Sequence, residues 1–487
     1  MRNWILTHVL RLYFRMAGTH SRNTPSWTNT RLNDRNSPTP LISLPDDSEP
    51  PSIVLRSFWN NLKYEWNSKR SKFATGDEVH ILGRKYRIPE DETVMRRDFA
   101  SRIWLTYRRD MPCPLPHSNL RSDCGWGCMI RSGQMILAQT ILTHLLGRDW
   151  RPGVMCEVHR SIISLFSDHF FLSPPTFGLH RLVSLGLRKG KQAGDWFGPT
   201  CIVHILKEAV ETSVVPGLRI YVAQDCTVYL DDVDMLCRPR DRNDDTDVTE
   251  ATEFLQESQC VLSARQASDF VMVTKSGPFE GIQAEELNEE PECDQNDPRR
   301  NDDWSTSLLL FVPLRLGTEK LNPVYLPALK AFLSHECCVG VIGGKPKHSL
   351  YFIGFQGENL ISMDPHFVQP TVDTENPDFC TKSYHCEKPR RIPFTQMDPS
   401  CCIGFYCRHR EDFQNLVRFT QDCLVAEGYP LFVMKPGQET GHSFVSSNET
   451  PPHLIPEERI LMMARRFINE HGEIEELEAI QEDFVFI

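Results

Sequence analysis

The feature that most constrains the fold is a long apolar helical pattern directly after a tryptophan flanked by two glycines. The segment Gly125-Trp126-Gly127-Cys128 precedes the pattern, and Gly147 follows it. Between them, residues that would share one face of a helix stand at every fourth position: Ile130, Gln134, Ala138, Leu142 and Leu146. This spacing predicts a helix that stops at the glycine. Because the other faces are largely apolar as well, we expect the helix to be buried.

Cys128 stands in the first turn of this predicted helix. Free backbone N–H groups and the positive end of the helix dipole stabilise a thiolate there, which makes Cys128 a candidate nucleophile. One alternative is a small buried apolar residue, the commoner fate of cysteine. A metal site shared with Cys124 is another, but no further Cys or His ligands stand at a convincing spacing. We therefore predict no metal and no cofactor.

A candidate partner for the thiol follows a predicted β-hairpin. Leu350–Phe355 and Leu360–Met363 are the expected strands, and the second runs directly into Asp364-Pro365-His366. Because Pro365 disfavours helical geometry at Asp364, the carboxylate and the imidazole should lie on one face of an extended segment. The carboxylate could then orient the ring. The alternative is a strand-end turn with a capping aspartate and an exposed histidine.

The acidic excess of the chain is confined to one segment. Residues 231–304 contain 21 acidic and 7 basic residues, whereas the whole chain has a formal net charge of -12. We interpret this segment as a disordered insertion between strands at Arg219–Ala223 and Leu308–Val312. It interrupts a folded domain that we place at 52–440. Since the rest of the chain is nearly neutral, we expect no nucleic-acid partner.

Residues 1–51 form a separate N-terminal segment and linker. The first 33 residues contain five arginines and no acidic residue, as in a mitochondrial transit peptide. A disordered basic tail is the alternative. The 17 cysteines lack a regular framework, which favours reduced thiols. We therefore predict a cytoplasmic protein, or a mitochondrial one if the N-terminal segment is a transit peptide.

Five segments, in this order, are together similar to the autophagin family of autophagy-related cysteine peptidases. They are Ser101–Arg108, Gly125–Met129, Gly194–Pro199, Val341–Pro346 and Asp364–His366. The resemblance implies a papain-like α+β fold, in which a central helix carries the nucleophile and packs on an antiparallel sheet that presents the histidine. A small helical subdomain would be inserted in this fold.

The same resemblance implies roles for individual residues. Cys128 is then the nucleophile, His366 the general base and acid, and Asp364 the carboxylate that orients the histidine. Tyr107 would lend its hydroxyl to an oxyanion hole beside the backbone N–H of Cys128. Trp196 would cover the nucleophile and bind substrate. For both aromatic residues, packing in the core is the alternative.

Members of the family cleave ubiquitin-like modifiers of the GABARAP class after a C-terminal glycine and release them from phosphatidylethanolamine. The resemblance thus implies a monomeric thiol endopeptidase that contacts membranes through its lipid-linked substrate. It also implies a gating loop at Ser334–Cys338, although this sequence departs from the proline-containing loop of some relatives. Two rival functions remain, a modifier-binding adaptor with little turnover and a peptidase that cleaves general peptides.

The chain ends in a tail, 441–487, whose last residues are Phe484-Val485-Phe486-Ile487 behind acidic residues. Phe484 and Ile487 are spaced as in a docking motif that adds a strand to the sheet of a modifier. Together with the arginine-rich N-terminus, this tail resembles the D-type member of the family, with the C-type as the near alternative.

Overall fold

β-Strands form at short apolar or β-branched runs in the middle of the sheet, and also at more polar runs such as those of its outer strands. Numbered along the chain, they are β1 Glu78–Ile81, β2 Arg84–Arg87, β3 Tyr107–Arg109, β4 Leu218–Val222, β5 Thr227–Tyr229, β6 Ser307–Arg315, β7 Cys338–Gly343, β8 Leu350–Gln356, β9 Asn359–Met363, β10 Val368–Pro370, β11 Arg390–Pro393, β12 Ser400–Cys407, β13 Val433–Lys435, β14 Phe467–Ile468 and β15 Ile474–Glu475.

The computed structural model describes residues 57–62, 64, 73–153, 156–213, 215–239, 304–376, 378–427 and 429–438, and the backbone of 467–468 and 474–475. Within them, a mixed sheet has the order β11-β9-β8-β7-β12-β6-β4, and the β1–β2 hairpin pairs with β8. Its neighbouring strands are antiparallel except for β4 and β6, which run parallel. The sheet is therefore antiparallel as predicted, apart from this edge.

The helices, numbered along the chain, are α1 Glu92–Ala100, α2 Cys128–Leu146, α3 Cys156–Ser164, α4 Leu179–Leu187, α5 Pro199–Glu211, α6 Leu230–Cys237, α7 Leu326–Ser334 and α8 Arg410–Glu427. The helix predicted from the four-residue spacing is α2. It ends at Gly147, whose φ of 82° lies in the left-handed region that glycine adopts without strain. Of the described helices, none is long and apolar enough to cross a membrane.

The side chains of the sheet alternate between two apolar cores. Along β12, Cys402 and Tyr406 join the core that includes α2, whereas Cys401, Ile403 and Phe405 join the core that includes α7 and α8. Since both faces are buried, the central strands are nearly continuous apolar runs. Helices α3, α4 and α5 lie along the chain between α2 and β4. The predicted α+β class is confirmed.

Both ends of the range predicted as an acidic insertion, 231–304, are folded. Strands β4 and β6 form on either side of it as expected, but 230–237 is the helix α6. Val233 and Cys237, four residues apart, bury their side chains in the core, a signal that the surrounding acidic residues conceal. Trp304, the predicted last residue, is also buried and donates its Nε1–H to Asp234 Oδ1 at 2.8 Å. The N-terminal segment and residues 240–303 lie outside the described residues.

Candidate active site

The turn before α2 presents Cys128 at the first position of the helix. Gly127 is the N-cap residue, and Gly125 has a φ of +89°, which other residues rarely adopt. A Cβ on Gly127 would lie 2.6 Å from Asp123 Oδ2, so only glycine fits there. The two glycines thus allow the tight turn that delivers the thiol to the helix start, as the sequence predicts. The Cys128 side chain is completely buried.

The segment after β9 brings the Asp364 carboxylate to the His366 ring. Oδ1 of Asp364 lies 2.5 Å from Nδ1 of His366 and also accepts the backbone N–H of His366 at 2.9 Å. Arg390 pairs with the other carboxylate oxygen. The predicted proximity of carboxylate and imidazole is therefore confirmed. Asp364 also caps the turn, as in the alternative, but the His366 ring is paired and only 19% exposed.

The electrostatics of this pair follow from its burial and its neighbours. Burial opposes the charged imidazolium, but the Asp364 carboxylate and the Cys128 thiol outweigh it and raise the pKa of His366 to about 10. Burial also disfavours the charged carboxylate, yet His366 and Arg390 hold the pKa of Asp364 well below its usual range. At neutral pH the ring is thus cationic, the charge state that stabilises a thiolate beside it.

Tyr107 on β3 is joined to the same segment. Its N–H donates to Pro365 O at 2.9 Å, and β3 pairs in parallel with β10, which follows His366. The two rings meet edge to face, with their centroids 5.5 Å apart. Among the described residues, the buried Tyr107 hydroxyl pairs with no oxygen or nitrogen atom, and it interacts with the Cys128 thiol. Burial and the nearby Cys128 raise the pKa of Tyr107 well above its ordinary value, so the hydroxyl stays a proton donor.

Trp196 reaches this site from the segment between α4 and α5. Its half-buried ring packs against a small apolar cluster of Tyr107, Cys124, Cys128 and Val368. The structure thus brings together five of the predicted site residues. The other two, Phe484 and Ile487, lie outside the described residues. Within the described ranges, no group of three or more His, Cys, Asp and Glu side chains is arranged to hold a metal ion.

The predicted position of the gating loop is wrong. Cys337 and Cys338 are buried in the core that includes α7 and α8, and the His335 ring packs on Phe419 of α8. The segment that contacts His366 is instead the turn after β7, where Lys347 O lies 3.0 Å from His366 Nε2. Spacing along the chain could not reveal which segment contacts His366, because β7 carries the chain from one end of the sheet to the other.

Two further residues at the site were not predicted from the sequence. Asp123 and Arg131 form a completely buried ion pair next to the Cys128 turn, with Arg131 Nε 2.7 Å from Asp123 Oδ2. A signal for this pair was present in the sequence. An arginine in a helix that is otherwise apolar and buried requires a buried acid, because a charge left unpaired in the core is very costly.

Taken together, the buried thiol, the imidazole–carboxylate pair and the buried tyrosine hydroxyl can carry out acyl transfer through a thioester. This is the site of a cysteine-type peptidase. The sequence of the Peptidase C54 catalytic domain matches residues 92–419. The chain belongs to this family, the autophagins, whose members act on ubiquitin-like autophagy modifiers.

Individual relatives place the chain within the family. It is 38% identical to cysteine protease ATG4D of Xenopus laevis, with 79% of this chain and 81% of the relative covered. It is 34% identical to cysteine protease ATG4C of Mus musculus, over 82% and 93% of the two chains. Identity to cysteine protease ATG4A of Homo sapiens is 30%, over 84% and 93%. Among these three, the D-type protease shares the highest identity, in agreement with the predicted paralogue.

Proposed function

We propose that the chain cleaves autophagy modifiers of the GABARAP class after their C-terminal glycine and releases the same modifiers from phosphatidylethanolamine. The observation that carries the proposal is the Tyr107 hydroxyl, which is buried beside Cys128 and donates to no oxygen or nitrogen acceptor among the described residues. An unsatisfied buried donor is costly, and it is useful where an oxyanion develops during a reaction.

The mechanism follows from the positions of the groups. The Cys128 thiolate attacks the scissile carbonyl carbon, and its oxygen becomes an oxyanion that accepts hydrogen bonds from the Tyr107 hydroxyl and the Cys128 N–H. Collapse of this intermediate expels the amine, which takes a proton from His366, and leaves a thioester. His366 then removes a proton from water, which attacks the thioester and frees the modifier as a carboxylate. Asp364 orients the ring throughout.

Both proposed reactions use the same bond type. The leaving amine is a peptide amine in tail trimming and the ethanolamine amine in release from the lipid, and both are joined to the glycine by an amide. Trp196 supports the glycine preference, because its ring packs on the cluster around Cys128. A side chain on the last residue of the modifier would have to displace that ring.

The decisive assay incubates purified protein with a tail-extended modifier and with the lipid-conjugated modifier, beside Cys128→Ala. We expect cleavage of both substrates by the wild type and of neither by the variant. The assay is repeated after removal of the first ~50 residues, in case the N-terminal segment blocks the site. A modifier that binds but stays intact in both forms of the wild type would favour the adaptor. Turnover of short unstructured peptides at similar efficiency would favour a general peptidase.

The terminal motif is proposed to dock the modifier. Deletion of 484–487 should weaken binding of the modifier more than it slows hydrolysis of a minimal substrate, because strand addition contributes affinity away from the reacting bond. Equal losses in binding and in hydrolysis would show that the tail supports the fold instead.

For the location, we propose that the protein acts in the cytoplasm and that residues 1–50 direct part of it to mitochondria. The arginine-rich, acid-free composition of this segment supports the proposal. Residues 1–50 fused to a fluorescent reporter should accumulate in mitochondria. A diffuse cytosolic signal would contradict mitochondrial targeting.

A further inference from the structure

Arg131 lies at the first turn of α2 and is enclosed by two carboxylates. Its Nε is 2.7 Å from Asp123 Oδ2, and its Nη1 is 2.9 Å from Asp168 Oδ2. The Asp123 and Arg131 side chains are 0% exposed, and Asp168 is 4% exposed. Removing three charged groups from water is costly, and apolar residues of similar size often stabilise a fold as well. The network therefore calls for a role beyond stability.

The Asp123 side chain connects the turn before Cys128 to the strand of Tyr107. Oδ1 of Asp123 accepts the backbone N–H of Arg108, the residue after Tyr107, at 2.7 Å. The neighbouring Ser122 hydroxyl donates to Arg108 O at 2.8 Å. Because the second carboxylate oxygen of Asp123 is held by Arg131, a single side chain links β3 to the helix that carries the thiol.

The same residue shapes the turn itself. The Asp123 carbonyl accepts the N–H groups of Trp126 and Gly127, at 3.2 Å and 3.0 Å, and Arg131 N donates to Gly127 O at 3.0 Å. These bonds determine where the backbone N–H of Cys128 lies at the start of α2. The two donors of the proposed oxyanion hole are thus on different elements, and Asp123 contacts both elements.

We propose that Asp123, held by Arg131, is a positioning residue that sets the Tyr107 hydroxyl against the Cys128 N–H. The inference rests on the proposed function, since it concerns the oxyanion hole of that reaction. Donors stabilise an oxyanion only when they are preorganised within a few tenths of an ångström of their working position. Two charged groups buried next to the turn give this rigidity.

Asp123→Asn is the principal test. Asparagine keeps an oxygen that accepts the Arg108 N–H, but its amide N–H₂ cannot pair with the guanidinium of Arg131. The matched control is Asp98→Asn, because Asp98 is also 0% exposed and pairs with Arg102 and Arg148 away from the thiol. We expect similar losses of thermal stability. At a temperature where both variants are folded, kcat should fall about 10- to 100-fold in Asp123→Asn only, with KM changed less than about twofold.

Two chemical probes separate positioning from the choice of substrate. A peptide aldehyde that ends in glycinal gains a bond from its carbonyl carbon to the Cys128 sulfur, and its oxygen takes a proton from His366. Iodoacetamide alkylates the same sulfur with loss of iodide and forms no oxyanion. In Asp123→Asn, aldehyde affinity should fall at least about tenfold and the alkylation rate less than about threefold. This ratio tests the inference even if the modifier proves not to be the substrate.

A double-variant comparison identifies the route of the effect. If Asp123 acts through the Tyr107 hydroxyl, Asp123→Asn should cost little further kcat in a Tyr107→Phe background. The proposal would be overturned if the kcat loss of the double variant equalled the product of the two single losses. An equal kcat loss in Asp98→Asn would overturn it as well. Should Asp123→Asn fail to fold, Ser122→Ala removes one link to Arg108. Its control is Ser101→Ala, a buried hydroxyl that donates to Asp98 O at 2.7 Å. A kcat loss confined to Ser122→Ala supports the proposal, and equal behaviour contradicts it.

Discussion

Cysteines are buried on both sides of the sheet, but their neighbours differ. Cys128, on the α2 side, is completely buried beside the His366 ring and the Tyr107 hydroxyl. Cys338 and Cys401, on the side of α7 and α8, lie in an apolar core. Burial there raises the pKa of Cys338 to about 12 and also raises the pKa of Cys401. The comparison teaches that burial alone keeps a thiol protonated and inert. A reactive thiol also needs polar neighbours, and the surrounding core must hold them in place.

The largest expected effect separates these thiols directly. Cys128→Ala should lower cleavage of a tail-extended modifier by more than about 10⁴-fold, since it removes the thiol that lies beside His366 and forms the thioester in the proposed mechanism. Cys338→Ala should retain full cleavage and lose about 1 kcal/mol of unfolding free energy. Gel-based cleavage and urea unfolding measure the two quantities. Clear cleavage by Cys128→Ala would contradict the distinction between Cys128 and the thiols of the apolar core.

Two buried tyrosines extend the comparison from thiols to hydroxyls. Tyr107→Phe should reduce kcat about 10²-fold, because it removes one donor to the oxyanion. In Tyr351, by contrast, the hydroxyl already donates to Val339 O at 2.5 Å. Tyr351→Phe should therefore lower the free energy of unfolding by about 1 kcal/mol and leave kcat within about twofold. A normal kcat in Tyr107→Phe would indicate that the ring only fills the core.

A comparison of Trp196 with its neighbour Phe197 tests where the site ends and the core begins. Trp196 is half-buried against the Cys128 cluster, whereas Phe197 is 1% exposed in the main core. Trp196→Ala should reduce kcat/KM about tenfold and relax the preference for glycine, with little change in melting temperature. Phe197→Leu should show the reverse, a lower melting temperature and nearly normal kcat/KM. Similar profiles for both variants would mean that Trp196 has a packing role alone.

Two histidines with opposite pKa shifts extend the comparison to the pH dependence of stability. The pKa of His366 is raised from 6.5 to about 10, so its contribution to stability is complete below pH 6.5 and is lost as the pH rises through about 10. Burial, with His385 and Arg160 nearby, lowers the pKa of His159 to about 3. The unfolded chain therefore takes up a proton at this residue below pH 6.5, and the fold loses stability as the pH falls towards 3.

Urea unfolding across this pH range tests the contrast. The stability difference between the wild type and His366→Gln should shrink by up to about 1 kcal/mol per pH unit above pH 6.5. His159→Phe should remove a loss of similar size below pH 6.5. Differences that do not change with pH would contradict both assignments, the charged ring of His366 and the neutral ring of His159.

Much of the site could be read from the sequence because its signals are local. The glycines around Trp126 and the spacing after Cys128 specify a tight turn and a buried helix within 25 residues. Asp364 and His366 are two residues apart, so Pro365 and the end of a strand suffice to align them. The start of the insertion at 231 was wrong because charge concealed the short apolar pattern of α6. The gating loop was misplaced because strand β7 separates the predicted segment, Ser334–Cys338, from the turn that contacts His366.

The sequence by itself therefore determined the candidate nucleophile, its turn and helix, the histidine–aspartate pair and the family. These features depend on neighbours along the chain, where backbone geometry and side-chain spacing act directly. Only the tertiary structure decided that the Tyr107 hydroxyl is buried beside the Cys128 thiol, that Lys347 contacts His366, and that Asp123 joins β3 to α2. These relations depend on strand order and on burial, which bring distant residues together and remove the water that would otherwise satisfy them.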